Sequence, residues 1–145
     1  MRQKLLAVLL VLPLALLTGC ADPYGACAKA GADIASGIAQ GMSTVAGLQA
    51  QGVVSKTEEA NVLGYLEFAN QQDESFLTCA TAAHTAGGVK GSYTTCVAAF
   101  ASTLNNPSEL TLIRVNNPSA QENVQTIVNG ISTAVAAINT ALGGK

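Results

Sequence analysis

The sequence predicts an all-α fold, a small up-and-down bundle of about four main helices plus one short helix. Three observations lead there. Apolar residues recur at spacings of three, four and seven through four long segments, which is the pattern of one helix face. Glycine pairs, prolines and capping residues fall between those segments rather than inside them. Leu110 to Val115 is the only run that could read as a strand, and it has no partner run to pair with.

The first helix runs from Tyr24 to Gln49, where Cys27, Ile34, Ile38, Met42, Val45 and Leu48 share a face, and Gly52 ends it. Ser55-Lys56-Thr57-Glu58 reads as a capping box opening the second helix. The Ser55 hydroxyl can accept from the Glu58 amide while the Glu58 carboxylate reaches back. Val62, Tyr65, Leu66, Ala69, Phe76, Cys79, Ala80 and Ala83 form its inward face, and Gly87-Gly88 stops it. Ser92 is the expected cap of a third helix carrying Tyr93, Cys96, Val97, Phe100 and Leu104. Asn105-Asn106-Pro107-Ser108 starts a short helix reaching about Ile113, with asparagine as cap and proline in the first turn. Asn116-Asn117-Pro118-Ser119 repeats the device before a last helix, marked by Val124, Ile127, Val128, Ile131, Val135, Ile138 and Leu142. Four long helices with short connections pack most simply as an up-and-down bundle.

The segment ahead of this body has a different build. Arg2 and Lys4 precede an apolar run, Leu5 to Leu17, broken only by Pro13 and short for a permanent bilayer span. Leu17-Thr18-Gly19-Cys20 ends it, and these residues resemble the lipobox of bacterial lipoprotein precursors, in which cleavage falls just before the cysteine. The resemblance covers residues 1–20 alone. It implies a signal peptide over residues 1–19, a lipidated tether over 20–24, a bundle domain over 25–145, and acyl chains such as palmitate on Cys20. Two or more chains hold a protein on a bilayer almost permanently, since each buried methylene adds about 0.8 kcal/mol. Ala21 follows the cysteine where aspartate would imply retention in the inner membrane. The expected address is therefore the cell envelope, on the periplasmic face of the outer membrane in a Gram-negative host.

From Cys20 onward the chain is long enough for one core but not two. That part carries nine acidic against five basic side chains, a net charge of minus four without a basic cluster, so nucleic acid is not an expected partner. Only 11% of the whole chain is charged and 4% aromatic, which points to a neutral surface rich in hydroxyl and amide groups.

The cysteines test the bundle. Antiparallel first and second helices turning at Val53 put Cys27 and Cys79 level, and a turn at Gly87-Gly88 puts Cys79 and Cys96 level. One bridge can form among the three. Cys79 lies between the other two helices and is expected in it, with Cys27 ahead of Cys96 because its bridge closes the longer loop. The alternative is that all three are buried free thiols.

Chemistry finds little support. There is no Cys-x-x-Cys, and His84, the one histidine, lies five residues from Cys79 and nearly 140 degrees round the helix from it. An exposed place in the last turn, where imidazolium suits the helix dipole, explains His84 more simply. Glu58 is accounted for by capping, and Glu59, Glu67, Asp73 and Glu74 by a solvated face. A di-iron site would need more than one histidine. No catalytic, metal or cofactor site is expected. Gly37-x-x-x-Gly41 is the remaining candidate, since two glycines on one side of a helix let another helix approach closely, within the bundle or in self-association. Two functions are compatible with these residues: a non-catalytic, lipid-anchored envelope module that binds another protein or itself, or a bundle holding a small apolar ligand between its helices.

Overall fold

The computed structural model describes residues 22–143, a bundle of helices in which no strand occurs among the described residues. Helix α1 spans Pro23–Ala50, α2 Lys56–Thr85, α3 Lys90–Leu104, α4 Pro107–Leu110 and α5 Pro118–Ala141, with a 3-10 turn at Thr111–Ile113 after α4. Its neighbours close a ring: α1 packs on α2 and α5, and α3 packs on α2 and α5. Alternation of direction is visible in the contacts. Gly31 of α1 meets Leu77 of α2, whereas Gly41 further along α1 meets Leu66 earlier in α2. Phe76 stacks on Phe100 at 5.3 Å while Cys79 bonds Cys96, so α2 and α3 also run oppositely.

The helix ends show why the chain is cut where it is. Asp22 caps α1, its two carboxylate oxygens accepting from the Tyr24 and Gly25 amides at 3.1 Å each, which satisfies donors that a first turn cannot pair internally. The Ser55 capping box is present at the start of α2, and Asn117 caps α5 through the Ala120 amide ahead of Pro118. Gly52, Gly87 and Gly143 adopt positive φ at the C-terminal ends of α1, α2 and α5. At Gly52 the Val53 amide returns to the Leu48 carbonyl, and at Gly87 the Gly88 amide returns to the Ala83 carbonyl. Both are Schellman closures, which need the left-handed conformation that glycine adopts without penalty.

One boundary differs from expectation. Helix α3 begins at Lys90, capped by Val89 without a side-chain hydrogen bond, and not at Ser92. The Schellman turn delivers the chain already extended at Val89, so the helix starts there and Ser92 falls within its first turn.

The core follows the apolar stripes: Cys27, Ile34, Ile38 and Val45 from α1, Val62, Tyr65, Leu66, Ala69, Phe76, Ala80 and Ala83 from α2, and all five expected residues of α3. Outside, the hydroxyls of Thr44, Ser75, Thr78, Thr81, Thr85, Thr94, Thr95, Thr103, Thr126 and Thr140 each donate to the carbonyl four residues earlier. Such back-bonding lets a helix carry many hydroxyls on its solvent side.

Candidate functional site

Cys20 lies outside the described residues; the other candidates fall on the bundle as follows. Cys79 and Cys96 are bonded, with Cα atoms 5.8 Å apart, and Cys27 is a buried free thiol. The expected preference for Cys27 as partner is therefore corrected. Height along the bundle does not decide the pairing; direction around α2 does. At 100 degrees per residue, Leu77 stands about 100 degrees to one side of Phe76 and touches α1 at Gly31, while Cys79 stands about 60 degrees to the other side, towards α3. Cys79 is correspondingly exposed and not part of the inward face. Burial, with the charge of Asp22 second, raises the Cys27 thiol above its ordinary pKa, which disfavours a reactive thiolate.

The glycines separate too. A methyl group on Gly41 would stand 2.8 Å from Cγ2 of Ile127 and 3.4 Å from Cδ1 of Leu66, so this residue admits α5 and α2 close to α1. Gly37 has nothing within 4 Å of the same position, so it brings no helix of the bundle close to α1. The second close approach is instead at Gly31, where the methyl would fall 2.6 Å from Cδ2 of Leu77.

His84 occupies the exposed position expected in the last turn of α2, but it is not isolated. Its ring stacks on Tyr24 of α1 at 4.3 Å and 19 degrees, and its Nδ1 lies 3.4 Å from the Tyr93 hydroxyl of α3. Burial first, then the neighbouring Asp22, Cys27 and Tyr24, raise the Tyr93 phenol above its ordinary pKa. Three helices are thus stapled at one end by a Tyr24–His84–Tyr93 cluster and by the disulfide. Neither glycine spacing nor cysteine counting signals this cluster in the sequence; the matching heights of Tyr24, His84 and Tyr93 in an antiparallel bundle would have.

Asp73 departs furthest from expectation. It is 1% exposed, the one charged side chain among the described buried residues, and not part of a solvated face. Its Oδ1 is buried without a hydrogen-bond partner. Burial, reinforced by the adjacent Glu74, pushes its carboxyl up to about 7. Asp73 stands between Ala69 and Phe76 on the inward stripe, so the helical period points it into the core whatever its charge. Glu58 behaves as expected and does more. Besides the Ser55 amide and hydroxyl at 2.9 and 2.7 Å, it accepts from the Asn116 amide at 2.7 Å, tying the start of α2 to the approach to α5. These bonds, from the Ser55 hydroxyl first, lower its pKa.

Among the described residues no three of His, Cys, Asp and Glu are grouped as metal ligands, and no helix is long and apolar enough to cross a membrane. Two hollows mark the surface. One is an open trough along α2 beside Leu77, Thr78, Thr81 and Thr85. The other is a cleft of about 220 Å³ between α3 and α5, lined by Val97, Ala101, Leu104, Ser132, Val135 and Asn139 among others. Comparison with protein-family models, curated proteins and solved structures finds no match to this chain.

Proposed function

We propose that this chain is a lipid-anchored envelope lipoprotein, held on the membrane through Cys20 and acting as a non-catalytic structural or interaction module. The observation that carries the reading is the sequence Leu17-Thr18-Gly19-Cys20 standing two residues before the Asp22 cap of α1. A folded helical body beginning immediately after a lipobox cysteine is what an anchored module needs. The arrangement of the body is in keeping with it. Gly31 and Gly41 serve internal packing, the threonines along α2 are bonded back to their own helix, and among the described cysteines Cys79 and Cys96 are paired and Cys27 is buried. The α3–α5 cleft is smaller than the roughly 300–1,000 Å³ usual for small-molecule sites, and the larger hollow of about 660 Å³ is an open trough along α2 alone and not a space between helices, which favours the module over a carrier of an apolar ligand.

The experiment is membrane fractionation of the native chain beside Cys20→Ser, followed by affinity capture from membranes with bound proteins and lipids both identified. Loss of Cys20→Ser from the membrane fraction supports the anchor. Persistence of that variant on membranes contradicts it, and stoichiometric recovery of an apolar small molecule would replace the module by the carrier.

A further inference from the structure

Where an anchored bundle stands relative to the lipid follows from what its two ends display. Cys20 is separated from the Asp22 cap by Ala21 alone, and two residues of chain span at most about 7 Å. Helix α1 is about 40 Å long at 1.5 Å per residue for its 28 residues. If Cys20 carries the acyl chains, the end of the bundle at the start of α1 is within a headgroup's depth of the bilayer, and the Gly52 turn can be far from it.

That near end has the surface such a position requires. The α2–α3 turn lies there, and it holds Val89, 67% exposed and the one large hydrophobic side chain so exposed among the described residues. Next to it Lys90 projects with Nζ beside Gly143, at the end of α5. The stacked Tyr24 and His84 rings complete the rim, side chains with apolar faces and polar tips that suit the headgroup region. Charge divides along the same axis. Away from the tip, Asp73 and Glu74 and beyond them Glu58, Glu59, Glu67, Glu109 and Glu122 outnumber Lys56 and Arg114, while at the near tip Asp22 is set against Lys90, with Lys29 paired to Asp33 at 2.6 Å a little further in. An anionic lipid surface repels the first and tolerates the second.

Resting on the anchor reading above, we propose that the near end of the bundle is a lipid-docking surface: Val89 enters the membrane interface, Lys90 meets anionic headgroups, and the Gly52 turn points away into the aqueous space. The occupant is a phospholipid surface and not a protein.

The chain contains no tryptophan, so single-tryptophan variants report position cleanly. Full-length, natively processed Val89→Trp and Gln51→Trp are reconstituted in phosphatidylethanolamine–phosphatidylglycerol vesicles carrying brominated acyl chains. Both positions are exposed, so neither replacement disturbs the core. The expected result is co-flotation of both variants, with emission of Val89→Trp blue-shifted and quenched at least several-fold more than that of Gln51→Trp. Co-flotation with equal, solvent-like emission overturns the docking surface and leaves the anchor standing. Failure to float with vesicles overturns the anchor and the docking surface together.

Discussion

The two ends of the bundle are held by different means. At the end where α1 begins, a disulfide links α2 to α3 and a stack of Tyr24 on His84 links α1 to α2, so closure there is covalent and aromatic. At the other end Ser55, Glu58, Asn116, Asn117 and Gln121 close the chain with caps, including a 2.6 Å bond from the Val115 amide to the Gln121 side chain. The difference teaches that the ends of a bundle can be closed either by links between helices or by caps along the chain. The near end packs the small Cys27, Gly31, Ala80 and Ala83 around the larger Tyr93, Ile138 and Leu142, and the disulfide and the ring stack tie its helices to one another. The far end has Leu66, Tyr65, Val62 and Val124 inside, and its closure runs through hydrogen bonds at the turns.

The largest effect is expected at Asp73, which faces the core between the two ends. Its folded-state pKa is raised from 3.8 to about 7, so its ionisation opposes folding. Stability is fully present below about pH 4 and is lost as pH rises towards 7, by up to about 4 kcal/mol at about 1.4 kcal/mol per pKa unit. Asp73→Asn should abolish that loss. Urea denaturation at pH 4.5 and pH 8 should show the native chain weakening and the variant nearly level; a native chain equally stable at both pH values would refute a buried ionisable Asp73.

The disulfide comes next. Cys79→Ser opens a loop with a sequence separation of 17 and should cost about 3 kcal/mol, lowering the urea midpoint under oxidising conditions only. Alkylation of the unfolded, unreduced chain should modify Cys27 while sparing Cys79 and Cys96. Labelling of Cys96 in its place would restore the Cys27–Cys79 pairing.

The glycines give a pair of opposite sign. Gly37→Ala meets open space and should stabilise by about 0.8–1 kcal/mol through helix propensity. Gly41→Ala gains the same but drives its methyl against the branched, stiff Ile127, and about 1–3 kcal/mol of overpacking outweighs the gain. Thermal melts that move in the same direction for both would remove the distinction between the two positions. The smallest effect belongs to the far end. Glu58→Gln keeps the shape but weakens charge-assisted bonds to Ser55 and Asn116, so the melting temperature should fall slightly at neutral pH. Because the folded pKa of Glu58 is lowered, its contribution is present above the ordinary carboxylate value and disappears as pH falls through the lowered one. The native chain and the variant should therefore converge in acid.

Much of this architecture is legible in the residues because it is local. Ser55 to Glu58, Asn117-Pro118, Gly52 and Gly87 mark helix ends through bonds made within a few positions, and the apolar spacing locates each inward face. What was not legible depends on direction around a helix and on neighbours distant in sequence. Level positions suggested Cys27 with Cys79, yet the side of α2 that faces α1 is Leu77's. Gly37 and Gly41 share a spacing but not an environment. The charge of Asp73 points to solvent and its helical period to the core, and the stripe from Ala69 to Phe76 that passes through it prevails. The Tyr24–His84 stack joins residues 60 positions apart, and no local pattern announces it.

The contrast between the ends takes on functional meaning through the proposed Cys20 anchor, and one measurement reaches that proposal directly. Intact-mass and peptide mass spectrometry of the chain purified from its own membranes should find Cys20 as the first residue, carrying a diacylglyceryl thioether and an acylated amine. A chain that retains residues 1–19, or a Cys20 bearing no lipid, would contradict the account.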